Sequence, residues 1–322
     1  MTVLAATLIA LAAVTGLYIW ASWAPELSFE ELRERWGRPP SQFVDIAGMR
    51  VHMRDEGPRD HASPIVLLHG NALSLHSWDG WAAALTGRHR VIRFDLPGFG
   101  LTGPPPDRIY GEERDVQVVT AVLDHLAIER CVLGGNSLGG GIALATALLH
   151  PSRVKKLILV DSSGAARPTP KLFCFHYLAR LPMSDWMVRN TLARRLVEGI
   201  LRNLFRDHPA KVTPELVRRV YELTRRQGNR RALIDRERQW QWPSGYFAHR
   251  MSELKLPTLI IWGGRDYLTP VEDAKIFYRN VAGSNLVIFD DLGHMPHEED
   301  PARTVRAVED FLEFSDTPRA RA

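Results

Sequence analysis

Cysteine is scarce in this chain of 322 residues, which contains only Cys131 and Cys174. Two cysteines cannot build a disulfide framework, and these two lie in different regions, so both are predicted to be buried thiols. No cluster of histidine, cysteine and carboxylate residues has the spacing of a zinc site. The sequence therefore predicts neither a metal nor an organic cofactor.

Acidic residues are scarce in one segment. Between Ala165 and Arg250 the chain has 18 Lys or Arg against 7 Asp or Glu, a balance that the overall formal charge of +4 conceals. No nucleic-acid recognition motif and no aromatic-basic repeat accompanies this basic segment. Nucleic acid is therefore not an expected partner.

Charged side chains are absent from the first 25 residues, and Val3 to Trp23 is almost wholly apolar. About 20 such residues span a bilayer core, and Trp20 lies where an aromatic ring favours the interface. We therefore expect residues 1–25 to form a single-pass membrane anchor, with the lipid bilayer as partner. The side of the membrane on which the rest of the chain lies stays open. The alternatives are a cleaved signal peptide, which lacks its usual basic start here and which Pro25 disfavours, and a buried helix.

Strands and helices alternate along most of the chain, which predicts an α/β fold with a mostly parallel central sheet and helices on both faces. We assign residues 43–164 and 251–315 to this core, and residues 26–42 to a connecting helix and linker. Residues 165–250 have helical periodicity and predict a helical cap inserted between two strands. Within this cap, four apolar residues recur at the spacing of a buried helix face: Leu192, Leu196, Ile200 and Leu204.

The most informative stretch is Gly135-Asn136-Ser137-Leu138-Gly139, which follows a short apolar run and precedes a helical pattern. This is the strand–turn–helix context of a nucleophile elbow, in which a strained turn holds the serine exposed. Glycine at the flanking positions lets the strand and the helix approach closely. Ser137 is therefore a candidate nucleophile.

A serine hydroxyl needs an adjacent base, and that base needs an orienting group. Asp266 and His294 each follow a predicted strand, and the carboxyl ends of strands meet at one edge of an open α/β sheet. We therefore predict His294 as the base and Asp266 as its orienting carboxylate. Asp161, which ends the preceding predicted strand, is the competing candidate for the acid, whereas His297 is not expected to be catalytic.

The attacked carbonyl also needs hydrogen-bond donors for its developing negative charge. The backbone N–H of Leu138, the residue after the nucleophile, is one candidate, and the N–H of Asn71 in a loop at another strand end is the second. His69 is predicted to support that loop. Asp95 is predicted to brace the chain nearby.

These motifs resemble the α/β-hydrolase fold, in particular its lid-bearing esterase and lipase-like serine hydrolases. The resemblance covers roughly 43–314, in the order known for that superfamily. It implies Ser137 as nucleophile, His294 as base, Asp266 as its orienter and the Asn71 and Leu138 amides as oxyanion donors. The segments that carry the resemblance are 69–74 with Trp78, 95–100, 135–140, 263–266 and 293–296.

The function expected at this point is hydrolysis of a small-molecule carboxylic ester with an apolar acyl group, through an acyl-enzyme on Ser137. The first alternative is a hydrolase that uses the same triad to cleave a carbon–carbon bond in a diketone-like substrate. The second is a non-catalytic relative, which is disfavoured because the chain keeps both the serine and the histidine. The natural substrate and the oligomeric state stay open.

Overall fold

The computed structural model describes residues 2–59, 63–165, 184–239 and 248–313. Cys174, cap residues 166–183 and 240–247, and the predicted core beyond residue 313 lie outside the described residues. The predicted bounds of the anchor, linker, core and cap stay predictions.

A mostly parallel sheet organises the described part of the chain. Its eight strands lie in the order β1-β2-β4-β3-β5-β6-β7-β8. β2 is antiparallel to both of its neighbours, and the remaining neighbours pair in parallel. This confirms the predicted α/β-hydrolase fold. The strands are β1 (Gln42–Ile46), β2 (Met49–Glu56), β3 (Ile65–Leu68), β4 (Val91–Phe94), β5 (Cys131–Asn136), β6 (Val154–Val160), β7 (Thr258–Gly263) and β8 (Asn285–Phe289).

Helices cover both faces of this sheet, as the buried strands show. In β3, Ile65 and Leu67 belong to one apolar cluster, while Val66 and Leu68 belong to another on the opposite face. A strand covered on both sides is apolar at every position, which is why this run does not alternate. The core helices are α3 (Asp79–Leu85), α4 (Glu112–His125), α5 (Leu138–Leu149), α10 (Val271–Asn280), α11 (Pro296–Glu299) and α12 (Pro301–Glu313).

The amino-terminal residues form helix α1 (Thr2–Ala21), followed by α2 (Phe29–Trp36), which begins at a capping box of Ser28 and Glu31. Within the described residues, no helix combines the length and the apolar character needed to cross a membrane. The predicted single-pass membrane localisation is therefore wrong, and the predicted anchor helix and its bilayer partner find no support in the described residues.

The segment after α1 packs against the cap. Ala24 N–H donates to the Asn190 carbonyl at 2.9 Å, and Leu27 N–H donates to the Arg225 carbonyl at 2.8 Å. The Trp36 indole N–H donates to Glu222 at 2.9 Å. The residues predicted as a linker therefore contact the helices of the cap.

Four helices occupy the described part of the predicted cap, between β6 and β7. Their buried face differs from the predicted one, because Leu196 and Ile200 are 52% and 47% exposed, while Val197 and Leu201 are buried. Both sets have the same spacing, so periodicity alone could not choose between them. The cap helices are α6 (Ser184–Asn190), α7 (Arg194–Leu204), α8 (Pro214–Thr224) and α9 (Asn229–Gln239).

Glu112 at the start of α4 predicts a pH dependence of stability. Burial, reinforced by the charge of Asp115, raises the pKa of Glu112 from 4.5 to about 7. The folded state therefore holds a proton between about pH 4.5 and about pH 7 that the unfolded state has lost, so the unfolding free energy falls as pH rises through this window. We expect Glu112→Gln to reduce this fall by about 1–2 kcal/mol, less than the full shift because the side chain is partly exposed.

Urea unfolding at about pH 5 and about pH 7.5 measures this difference. Glu113→Gln is the matched control, because Glu113 is the exposed neighbour in the same helical turn. Equal pH dependence in the wild type and Glu112→Gln would show that Glu112 is ionised throughout.

Candidate active site

The turn between β5 and α5 holds Ser137 in a strained conformation. Ser137 has a φ of +53°, which is uncommon for a residue with a Cβ atom. Its N–H donates to the Val160 carbonyl at 3.0 Å, and its carbonyl accepts the N–H groups of Gly141 and Ser163 at 3.1 and 3.0 Å. These bonds to α5 and to the chain after β6 fix the strained turn, as a nucleophile elbow requires.

The glycines on either side of Ser137 are required by close packing. A Cβ atom on Gly135 would lie 2.2 Å from the Gly139 carbonyl oxygen, and one on Gly139 would lie 2.3 Å from the Leu68 carbonyl oxygen. Both contacts are with backbone, which cannot move aside as a flexible side chain can. The glycines predicted from the motif therefore let α5 begin directly against β3 and β5.

The structure brings Asp266 and His294 together. His294 Nδ1 lies 2.6 Å from Asp266 Oδ2, and both side chains are buried. Asp266 also accepts hydrogen bonds from the N–H groups of Leu268 and Thr269 at 2.7 and 3.0 Å, and from the Thr269 hydroxyl at 2.5 Å. Burial opposes ionisation of Asp266, but the His294 charge and the hydrogen bonds from His294 and Thr269 hold its pKa below the usual value.

Backbone contacts hold the His294 loop beside the elbow. The Asn136 side-chain amide, next to Ser137 in the chain, donates to the His294 carbonyl at 3.1 Å. His294 N–H donates to the Leu204 carbonyl of α7 at 2.8 Å. The turns that carry Ser137 and His294 are therefore tied to each other, and the second is tied to the cap. Sequence reasoning missed the role of Asn136, for which no signal exists beyond its place before the serine.

Glu299 is a second residue that the sequence did not reveal, since it reads as part of the first turn of the last helix. Its carboxylate accepts the Gly293 N–H at 3.0 Å and the Met295 N–H at 3.2 Å, on either side of His294. His208 of the cap lies 3.5 Å from the same carboxylate. Burial raises the Glu299 pKa to about 7, although these N–H donors oppose the shift. Glu299 thereby braces the loop that carries His294.

The predicted oxyanion donors lie in turns that leave their N–H groups available. Neither Asn71 N–H nor Leu138 N–H has a hydrogen-bond acceptor in the part of the chain that the structure describes. The two turns are in contact, because a Cβ atom on Gly70 would lie 3.4 Å from Ser137 Cβ. Ala72 adopts a φ of +57° as the loop bends back. This arrangement is compatible with two N–H groups that stabilise an oxyanion.

A buried network supports the oxyanion loop, as the sequence predicted for His69 and Asp95. His69 Nε2 accepts the Leu96 N–H at 2.9 Å, so Nδ1 carries the proton and donates to the Gly70 carbonyl at 2.8 Å. Burial lowers the His69 pKa, which favours this neutral form. Asp95 accepts the Leu75 N–H at 2.7 Å. The loop carrying Asn71 is thus fixed at both ends.

Asp161, the competing candidate for the acid, also lies at this site. One potential ligand atom from each of Asp161, Asp266 and His294 lies within 4.8 Å of the others, and all three residues are buried. His294 Nδ1 bonds directly to Asp266, which favours Asp266 as the orienting carboxylate. The same three residues form a possible set of metal donors. In this structure Asp266 and His294 are hydrogen-bonded to each other. The absence of a metal stays a prediction.

A pocket of about 210 Å³, part of it open to solvent, lies between the cap and the loops of the core. It adjoins the loop that carries Asn71, so a bound molecule could reach the oxyanion donors from it. Its described walls are mainly apolar and include Ala72, Leu73, Phe99, Leu223, Asn229 and Leu233.

Comparison with known proteins identifies the family. Residues 63–301 match the family described as alpha/beta hydrolase fold. This chain belongs to that family. The α/β hydrolase is also similar to the meta-cleavage product hydrolase from Pseudomonas fluorescens IP01, with a TM-score of 0.72 and 25% identity over 84% of this chain and 97% of that one.

Two relatives of this α/β hydrolase bear on its chemistry. It is 32% identical to the 2-hydroxymuconate semialdehyde hydrolase of Pseudomonas sp. (strain CF600), over 85% of this chain and 94% of that protein. It is 30% identical to the 2-hydroxy-6-oxononadienedioate/2-hydroxy-6-oxononatrienedioate hydrolase of Burkholderia vietnamiensis, over 84% of this chain and 95% of that protein.

These relatives contradict ester hydrolysis as the main prediction and favour the alternative that the sequence left open. The physical reason is that a serine, histidine and aspartate arrangement attacks an activated carbonyl carbon whichever bond breaks next. The triad motifs therefore could not separate an ester from a ketone. The expected substrate, an ester with an apolar acyl group, is corrected accordingly.

Proposed function

We propose that this α/β hydrolase cleaves a carbon–carbon bond in a small 2-hydroxy-6-oxo-dienoate. The observation that carries the proposal is the 32% identity to a 2-hydroxymuconate semialdehyde hydrolase over 94% of the length of that protein. A match across the whole catalytic domain, cap included, is more informative than a match to the core alone, because the cap helps to form the pocket.

In the proposed reaction, the 2-hydroxy group ketonises and a proton is added at C5, which makes the substrate a vinylogous 1,5-diketone. Ser137 Oγ attacks the C6 carbonyl while His294 takes the serine proton, and the Asn71 and Leu138 N–H groups stabilise the oxyanion. The C5–C6 bond then breaks. Its electron pair passes into the conjugated C2 carbonyl system, and that fragment takes the proton from His294.

The second half of the reaction releases the acyl group. Water, deprotonated by His294, attacks the acyl group on Ser137 and frees it as a carboxylic acid. Overall, H and OH of one water molecule are added across the C5–C6 bond. Asp266 keeps the His294 ring oriented and stabilises its charged form in both halves.

One feature of the molecule supports this substrate class. The balance of 18 basic against 7 acidic residues in segment 165–250 favours the approach of an anionic substrate to the cap.

Turnover of 2-hydroxymuconate semialdehyde, compared with p-nitrophenyl acetate and butyrate, tests the proposal. Carbon–carbon cleavage is followed by the fall in absorbance of the conjugated dienol and by the amount of acid released. We expect kcat/KM for the dienoate to exceed that for either ester by about 100-fold, equivalent to about 2.7 kcal/mol of transition-state stabilisation. Efficient ester turnover with an intact dienoate would contradict the proposal.

A further inference from the structure

A second serine, histidine and aspartate are hydrogen-bonded in series outside the active-site triad. Ser41 Oγ lies 2.8 Å from His52 Nε2, and His52 Nδ1 lies 2.7 Å from Asp95 Oδ2. Ser41 precedes β1, His52 lies in β2 and Asp95 follows β4, three strands that are neighbours at one edge of the sheet. Neither Ser41 nor His52 has a part in the reaction proposed for Ser137.

The donors and acceptors of this cluster fix the direction of each hydrogen bond. Asp95 is fully buried and also accepts the N–H groups of Leu75 and Leu101, both at 2.7 Å. Burial opposes its ionisation, but the charge and the hydrogen bond of His52 hold the pKa of Asp95 below its usual value. An ionised carboxylate only accepts, so His52 Nδ1–H donates to Asp95. Nε2 of the neutral ring then accepts the hydrogen bond of the Ser41 hydroxyl.

Packing and backbone contacts hold the His52 ring in this orientation. The ring is fully buried and stacks on the Phe43 ring, with centroids 5.0 Å apart and planes inclined by 19°. His52 N–H donates to the Thr102 hydroxyl at 2.9 Å, and its carbonyl accepts the Asp95 N–H at 2.9 Å. A fixed imidazole with one nitrogen on a carboxylate and the other on a hydroxyl has the arrangement that activates a serine.

A positive charge lies beside the serine oxygen. Arg54 Nε donates to Ser41 Oγ at 3.0 Å, and the same guanidinium forms an ion pair with Asp79 at 3.2 Å. Arginine has no acceptor, so this bond leaves the Ser41 proton directed at His52. A guanidinium at this distance stabilises negative charge that develops on the oxygen or on a group attached to it.

Ser41 is the member of the cluster that solvent reaches. It is partly exposed and lies between the exposed residues Pro40 and Gln42, at the start of the edge strand β1. His52 and Asp95 are fully buried behind it. A reagent can therefore meet the serine oxygen from the surface while its base is shielded from water. Access from the surface favours a small, activated substrate.

We propose that Ser41, His52 and Asp95 form a second serine-nucleophile site, which reacts with small activated carboxylic esters. Ser41 Oγ attacks the carbonyl carbon while its proton passes to His52 Nε2. The bond to the leaving alcohol then breaks, and the alcohol departs with the electron pair and the proton from His52. Water, deprotonated by His52, attacks the acyl group on Ser41, frees it as a carboxylic acid and restores the serine.

Fluorophosphonate labelling of the full chain, read by peptide mass spectrometry, tests this site. The measurement uses Ser137→Ala, so that label on Ser41 is not masked by reaction at Ser137. In the labelling step an O–P bond forms, the P–F bond breaks, and fluoride leaves while His52 holds the serine proton. Ser28 is the internal control, because it is exposed and its hydroxyl bonds to Glu31 and to no histidine.

We expect Ser41 to label at least about 100-fold faster than Ser28, and His52→Gln to slow the labelling of Ser41 by about the same factor. Glutamine keeps a polar group near Ser41 but cannot take its proton. Hydrolysis of p-nitrophenyl acetate by Ser137→Ala is expected to fall at least about 10-fold when Ser41→Ala is added. Ser41→Ala alone leaves turnover at Ser137 unchanged.

Equal labelling of Ser41 and Ser28 would overturn the proposal, and that comparison needs no substitution in the cluster. Equal labelling of Ser41 with and without His52→Gln would also overturn it, with thermal unfolding as the check that the variant folds. If that variant does not fold, an ester rate unchanged by Ser41→Ala overturns the proposal instead. Failure of the wild type to cleave the dienoate bears on the substrate proposed for Ser137 alone, because the rates that test Ser41 are measured without Ser137.

Discussion

Ser137→Ala is expected to lower kcat for 2-hydroxymuconate semialdehyde by about 10⁴-fold or more, because removal of a nucleophile that acts with a base as one unit removes almost all of their joint effect. The residual rate comes from the oxyanion donors and from substrate binding. Single-turnover kinetics at saturating substrate measures the chemical step directly. The fold is expected to be unaffected, since the hydrogen bonds that hold the turn among the described residues use the backbone of Ser137.

His297→Gln is the matched control for this experiment. His297 is buried against the Trp78 ring at 4.1 Å, and neither ring nitrogen has a hydrogen-bond partner among the described residues. We expect His297→Gln to change the free energy of unfolding rather than the rate of the chemical step. A Ser137→Ala variant with more than about a tenth of the wild-type rate would mean that the reaction does not pass through a serine adduct.

Gly139→Ala is expected to destabilise the protein by at least about 3 kcal/mol and to abolish labelling of Ser137. The added Cβ atom would lie 2.3 Å from the Leu68 carbonyl oxygen and 2.6 Å from the His69 carbonyl oxygen. Both atoms belong to backbone at the carboxyl end of β3, so relief requires a shift of α5 away from β3. Such a shift also moves Leu138 N–H away from the oxyanion position.

Gly199→Ala is the matched control, because the same substitution in α7 meets no heavy atom within 4 Å. There it is expected to stabilise the protein by about 0.5–1 kcal/mol, since alanine loses less backbone entropy in a helix than glycine. Urea unfolding of both variants measures the contrast. Equal stability of Gly139→Ala and wild type would show that strand and helix are not in direct contact at the elbow.

Much of the fold could be predicted because its signals are local. The continuous apolar run 65–68 indicates a strand buried on both faces. The candidate triad was predictable for a related reason. Parallel strands bring their carboxyl ends to one edge, so Ser137, Asp266 and His294 could be expected together before any contact was known.

Other features were out of reach because they depend on which surfaces meet. The stripe of Leu196 and Ile200 and that of Val197 and Leu201 have equal spacing, and only the packing of the cap selects the second. The single-pass localisation was wrong, since no helix among the described residues combines the length and the apolar character needed to cross a membrane. The ester was wrong because a triad records how a carbonyl is attacked and carries no information about the leaving group.

The sequence by itself therefore determined the α/β-hydrolase fold, the elbow at Ser137 and the candidates that accompany it, because these follow from periodicity, glycine placement and the geometry of parallel strands. Tertiary structure alone decided that Asp266, and not Asp161, bonds to His294, that Glu299 and Asn136 hold the histidine loop, and that Asp161 stays buried beside the pair. Burial and the distance between charged groups set these roles, and neither quantity exists until residues far apart in the chain are packed together.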